Sequence, residues 1–238
     1  MPDARAPDPL RHAPVEHHPP IEEYLQTIES LTEEGTSVIQ ARIAERLGKT
    51  PPSVSEMLDR LAGEGYVERR GRRIMLTAQG HALAQSVIRK HRLAERLLVD
   101  VIGLPWHLVH EEAGRWEHVM SDAVEARLVQ LLDDPGTCPH GNPIPGSAHL
   151  VTDDGGQRAL VEMAEGAHIR FARLTEELEL DGDSLRYLGE AGFVPGRAAT
   201  VRARSSDGTI VIDLGDRSLA LGRDLCKKMF VVEVDSSG

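Results

Sequence analysis

Residues 38–80 read VIQARIAERLGKTPPSVSEMLDRLAGEGYVERRGRRIMLTAQG. Ile39, Ile43 and Leu47 recur at helical spacing and predict a short helix that Gly48 ends. Pro51 and Pro52 suit the first turn of a second helix, whose apolar face is Val54, Met57, Leu58 and Leu61. Gly63 and Gly65 close it. YVERRGRRIMLT then predicts a hairpin with Arg69, Arg70, Arg72 and Arg73 around a glycine turn. Two helices across a tight turn, followed by a basic hairpin, describe a winged helix-turn-helix whose second helix enters the major groove of double-stranded DNA. The start of that helix (Thr50, Pro51, Pro52, Ser53, Ser55, Glu56) is short or polar and unsuited to a core. Serine hydroxyls bond phosphates, a proline ring touches a thymine methyl, and Glu56 can accept from cytosine N4. Arg42, Arg60 and the wing arginines, Arg72 and Arg73 among them, would neutralise phosphates. A pair of amphipathic helices alone is equally well read as a small helical domain with a solvated face. The arginine-rich hairpin directly after it favours DNA.

Before this segment, residues 1–20 are rich in Pro, Ala and His without an apolar period, and are expected to be a disordered leader. From Ile21, Tyr24, Leu25, Ile28 and Leu31 predict a helix that Gly35 stops, which puts the DNA-binding domain at 21–82. After it, Leu83 to Leu132 is helical by period, with a break at Gly103-Leu104-Pro105. Its apolar positions, including Val101, Ile102, Val119, Val124 and Leu131, exceed what a thin layer needs, so part of that face is expected to bury a partner subunit in a homodimer.

The same region carries KHRLAERLL (90–98) and HEEAGRWEHVM (110–120). At about 100° per residue, His91 and Glu95 share one helix stripe, and His110, Glu117 and His118 share another around the backbone of Gly114. Two helices turning imidazoles and carboxylates toward a common space form a metal site. The metal-binding and dimerisation domain is thus placed at 83–146, ending in the loop DDPGTCPHGNPIPG. A polar linker follows at 147–160. In 161–238, HIRFARL, AATVRARS, TIVIDLG and FVVEV alternate as short strands of a small barrel, interrupted by SLRYLGEAG as a helix. The fold class is mainly α: a winged helix-turn-helix, a helical dimerisation domain and a C-terminal small β-barrel.

Composition narrows the function. The 238 residues are 40% hydrophobic, enough for real cores, and contain no run apolar enough to span a membrane. No apolar signal core is visible, so the expected compartment is the cytoplasm, and Cys138 and Cys226 are expected as free or ligating thiols. A net charge of −11 excludes a generally basic nucleic-acid coat but not a local basic patch. No nucleophile constellation or phosphate loop accompanies the His and Glu stripes, so an enzyme is not expected. A metalloenzyme or a metal store would leave the winged segment without a use.

RIAERL, PPSVSEML, RKHRLAERLL, VHEEAGRWEHVMSDAVEARL and CPHGNPIPG together resemble the metal-dependent repressors typified by the diphtheria toxin repressor, from about Ile21 to Gly146 and more loosely beyond. The resemblance implies metal-activated binding to palindromic operators, repression of metal-uptake genes, two metal sites and an SH3-like barrel. It places Glu117 and His118 in an activating site. The Gly114 carbonyl falls where the iron-responsive branch has a cysteine and the manganese branch an acid. Glu23 falls where they have methionine and aspartate, and Gln26 can add an amide oxygen. His91, Glu95 and His110 match an ancillary site that the barrel completes, with Asp181 as the matching position and Ser184 near it. Cys138 and His140 lie where some manganese-branch members recruit a Cys-x-His pair, although a turn with a buried thiol reads equally well. Mn(II) binds weakly and is favoured by hard oxygens without soft competitors. The absence of thioether and thiol from the activating set therefore predicts Mn(II), with Fe(II) as the alternative and Co(II), Ni(II) or Zn(II) as substitutes in vitro. Glu23 is the residue expected to tie the first helix to the metal.

Overall fold

A computed structural model describes residues 19–149 and 156–235. The expected leader, apart from its last two residues, and the middle of the expected linker lie outside the described residues. The chain begins with helix α1 (Pro19–Glu33), α2 (Gln40–Leu47) and α3 (Pro51–Gly63), then the hairpin β1 (Val67–Arg70) and β2 (Arg73–Leu76). Gly48 turns left-handed at φ 61° and its N–H caps α2, so α3 starts after a tight turn with its prolines at the first two positions, where no intrahelical N–H is needed. The hairpin pairs Val67 with Leu76 and Arg70 with Arg73. Tyr24, Leu25, Ile28, Ile43, Val54, Leu58, Leu61, Val67 and Ile74 make one core, so α1 belongs to the DNA-reading unit.

Helix α4 (Ala78–Arg96) follows directly. Thr77 caps it by accepting from Gly80 N–H. A side chain at position 80 is forbidden, because a Cβ there would stand 2.0 Å from the Tyr66 carbonyl oxygen. The wing is thereby pressed against the start of α4. A π-helical turn, Leu97–Ile102, leads to the predicted break, closed by left-handed Gly103. Then come a 3-10 turn at Trp106–Leu108, α5 (Val109–Trp116) and α6 (Asp122–Leu131). The helical stretch thus has a second break, at 117–121, which the periodicity did not reveal. Glu117 and His118 sit at the end of α5, before Ser121 caps α6 by accepting from Val124 N–H.

The C-terminal domain forms one six-stranded antiparallel sheet in the order β3-β8-β4-β5-β6-β7. Its strands are β3 (Gln157–Ala159), β4 (His168–Leu174), β5 (Ala198–Arg204), β6 (Ile210–Asp213), β7 (Ser218–Leu221) and β8 (Met229–Glu233). The four predicted strands are present. β3 and β7 are additional, and they do not pair with each other among the described residues, so the expected barrel is an open sheet. Stacked Phe171 and Phe193, 4.8 Å between centroids, lie in its core. Short helices α7 (Glu176–Glu179), α8 (Gly182–Glu190) and α9 (Arg223–Lys227) cover it. The loop 133–146 docks on this domain. Gly141, at φ +89°, lets the chain approach so closely that a Cβ would meet the Ala172 carbonyl oxygen at 2.0 Å. The Leu174 N–H donates to the His140 carbonyl in the same contact. No helix is long and apolar enough to cross a membrane.

Candidate metal centre and DNA-reading surface

The described residues bring His91 and Glu95 of α4, His110 of α5 and Glu179 of α7 together, with donor atoms within 4.8 Å of one another. His91 Nε2 lies 3.1 Å from Glu95 Oε1 and 3.0 Å from His110 Nδ1. His110 Nδ1 lies 3.2 Å from Glu95 Oε1 and 2.7 Å from Glu179 Oε2. Asn142 donates to the other oxygen of Glu179 at 2.5 Å and fixes its orientation. A second group shares Glu95: Cys138 and His140 also place their donor atoms within 4.8 Å of it. His140 Nδ1 stands 3.2 Å from Glu95 Oε1.

All these side chains are buried. Burial opposes the charge on His91, but Glu95 and Glu117 outweigh it and hold the imidazole up at about 10. His110 is likewise held well above its ordinary range, burial being outweighed by Glu179 and Glu95. Burial also opposes the charge on Glu95, yet His140 and His91 hold its carboxyl well below the ordinary range. Burial, reinforced by the nearby carboxylates, pushes the Cys138 thiol well up. Glu95 Oε2 is nonetheless buried with no hydrogen-bond partner. An orphaned carboxylate oxygen amid two imidazoles and a second carboxylate fits a divalent cation. Protons hold these imidazoles now, so a cation must displace them. At pH 7.5, well below the value for His91, calorimetry in buffers of different ionisation enthalpy should show release of about one proton or more per bound ion. Binding without proton release would mean that these imidazoles are not ligands.

The activating side differs from expectation at one residue. His118 Nδ1 meets Glu22, at 2.6 Å, and its Nε2 lies 3.2 Å from Glu117 Oε1. The bond to Glu22 raises the pKa of His118. Glu23 is not in this group: its carboxylate bonds Lys49 Nζ at 2.5 Å and is partly exposed. Neighbouring residues of a helix point about 100° apart, and it is Glu22 that lies on the stripe facing α4 and α5. The same stripe holds Gln26, 3.5 Å from Glu117; Glu29, bonded to His81 and Gln85; and Glu33, paired with Arg92. A spacing of four, three and four polar residues along α1 was visible in the sequence and points to Glu22. At Gly114 a built Cβ would meet nothing within 4 Å, which leaves room beside the site.

Glu117 joins the two groups. Its Oε1 faces His118, and its Oε2 bonds His91 Nδ1 at 2.5 Å.

Asp181 is also corrected. It caps α8, accepting from the N–H and hydroxyl of Ser184, and that interaction keeps its carboxyl acidic. Glu179, two residues earlier, reaches the cluster instead. No periodic signal could have found it, because α7 has only four residues.

On the DNA side, Thr50, Pro51, Pro52, Ser53, Glu56 and Arg60 are exposed, as are Arg42, Arg72 and Arg73, while Ser55 is half-buried. A groove lined by Gln40, Pro51, Arg69, Gly71 and Arg72 places the start of α3 and the wing side by side.

Comparison with known proteins follows this division. Family models match residues 18–74 as the iron dependent repressor N-terminal DNA binding domain, 77–146 as its metal binding and dimerisation domain, and 158–233 as a FeoA domain. The chain belongs to the iron-dependent repressor family. Iron-dependent repressor IdeR of Mycobacterium tuberculosis is 44% identical over 222 residues, covering 90% of this chain and 96% of that protein. The diphtheria toxin repressor of Corynebacterium efficiens is 43% identical over 221 residues, covering 90% and 95%. A manganese-dependent transcriptional repressor solved with manganese superposes with a TM-score of 0.80 at 31% identity, over 90% of this chain and all of that one. Members of the iron-dependent repressor family are transcriptional repressors, not enzymes, and this chain carries the family's DNA-binding, metal-binding and SH3-like domains.

Proposed function

We propose that this protein is a metal-activated repressor that binds palindromic operators as a homodimer and answers to Mn(II). The observation that carries the reading is the meeting of Glu22 with His118 and Glu117, because it joins the DNA-reading unit to the helical domain. Glu22, Glu117, His118 and the Gln26 amide, with the Gly114 carbonyl as the remaining oxygen, would hold the activating ion. His91, Glu95, His110 and Glu179 would hold the ancillary one, with Cys138 and His140 beside Glu95. A divalent ion supplies there the positive charge that these clustered carboxylates lack. Glu22 then fixes α1, and α1 shares its core with α3. The two recognition helices of a dimer thereby settle at one separation, which shifts the population toward the DNA-competent form.

The activating group contains hard oxygens and one imidazole, with neither thiol nor thioether, which suits Mn(II). A second reading, response to Fe(II), is favoured by the relatives named as iron-dependent. Repression of metal-uptake genes in the cytoplasm follows from either. The test uses a duplex selected by the protein from a random-sequence pool and measures fluorescence anisotropy at buffered free Mn(II), Fe(II) (without oxygen), Co(II) and Zn(II). Mn(II) should give operator affinity at least equal to that with Fe(II). Full activation by Fe(II) with Mn(II) inert would overturn the metal assignment, and binding indifferent to metal would overturn the function.

A further inference from the structure

Lys49 stands in the turn between α2 and α3, one residue before Thr50, the N-cap of the recognition helix. Its backbone is held on both sides. The Lys49 N–H donates to the Ala44 carbonyl of α2, and the Thr50 carbonyl accepts from Val54 N–H of α3. Its side chain reaches back to α1, where Nζ bonds Glu23 at 2.5 Å and lies 4.9 Å from the centroid of the buried Tyr24 ring. Three consecutive residues of α1 thus face two ways. Glu22 meets His118 of the metal centre, while Glu23 and Tyr24 hold the turn that starts the DNA-reading helix.

We propose that Lys49 is a positioning residue for operator binding: through Glu23 and Tyr24 it fastens the start of α3 to α1, so that a change at Glu22 is felt at the recognition helix. The proposal rests on the metal-activated reading for its consequence, but the fastening itself exists without metal. Hydrophobic packing in the shared core holds the body of α3 to α1. The polar turn has no apolar residue of its own in that core, and Lys49 is the side chain that ties it down. Glu23 is then a partner of the DNA-reading turn rather than a metal ligand. The ion pair is partly exposed, so its loss should change an equilibrium by roughly five-fold rather than by orders of magnitude.

The test compares Lys49→Met, which keeps the alkyl stem over Tyr24, with Glu23→Gln, the double variant and Lys49→Arg. Operator affinity at saturating Mn(II) should fall roughly five-fold in either single variant and no further in the double, as a shared interaction requires. Lys49→Arg should restore it. The salt dependence of binding should keep its slope, and Mn(II) affinity measured against a chelating dye without DNA should not change. In metal-free protein, amide exchange of Val54 and its neighbours at the start of α3 should quicken in both single variants.

Three outcomes overturn the proposal. The first is a salt slope lower by about one in Lys49→Met with Glu23→Gln silent, which makes Lys49 a phosphate contact. The second is weakened Mn(II) binding in Glu23→Gln, which makes Glu23 a ligand. The third is full additivity in the double variant. Should the wild-type protein bind operator without metal, the metal-activated reading fails, while the exchange rates and the double-mutant coupling still decide whether Lys49 fastens the turn.

Discussion

Replacing Glu117 with alanine is expected to weaken operator binding at saturating Mn(II) by about 100-fold, the upper range of a coupling between two sites. Alanine removes the carboxylate that faces His118 through one oxygen and His91 through the other, so both metal groups lose a member at once. Glu95→Ala touches only the ancillary pair and should cost less. The metal-free protein should also lose stability, by about 3 kcal/mol, the scale for stranding one partner of a buried ion pair. The sign with pH follows from His91. Its folded-state value, about 10, lies above the ordinary 6.5 because Glu95 and Glu117 outweigh burial. The stabilisation is therefore complete below about pH 6.5 and disappears as pH rises through about 10. Thermal unfolding in a chelator should show wild type and Glu117→Ala furthest apart at pH 6 and converging above pH 10. A constant gap across that range would mean that Glu117 acts by packing alone.

What the sequence revealed, and where it stopped, has a physical pattern. The winged domain was legible because each boundary is enforced locally: Gly48 must turn left-handed, Pro51 and Pro52 tolerate only a helix start, and Gly71 makes the wing turn at φ +63°. The histidine stripes were legible because α4 and α5 are long enough for a period to show. Position along a helix is not the same as direction, however. Resemblance carried the ligand role onto Glu23, whereas the helix rotates that side chain toward Lys49 and turns Glu22 inward. Glu179 escaped because a one-turn helix has no period and its orientation is set by Asn142, 37 residues away in sequence. Strands β3 and β7, with three and four residues, are likewise too short to alternate visibly and exist because β8 and β6 pair with them.

The second large effect concerns assembly. Among the described residues, the large exposed apolar side chains concentrate between Val101 and Leu131: Ile102 is 56% exposed, Val119 70% and Leu131 62%, with Val101, Leu108 and Val124 beside them in sequence. A monomer gains nothing from that concentration, and a stable interface needs about 800 Å² from each partner, which a face of this kind can supply. Because a two-fold interface presents the same patch twice, one substitution is felt in both copies. Ile102→Asp or Leu131→Asp would place an unpaired carboxylate against apolar surface, at a cost of several kcal/mol per ion. Each should weaken the dimer by at least about 100-fold and turn a micromolar solution monomeric in sedimentation velocity. Operator affinity should fall with it, because a monomer docks one recognition helix where the palindrome offers two half-sites about one helical turn apart. Neither residue belongs to the metal groups, so metal binding to the monomer should persist. Leu180 is equally exposed, at 61%, but lies in the C-terminal domain, and Leu180→Asp should leave the dimer intact. A dimer that survives Ile102→Asp and Leu131→Asp yet dissociates with Leu180→Asp would move the interface from the helical domain to the sheet domain, and with it the geometry that sets the spacing of the recognition helices.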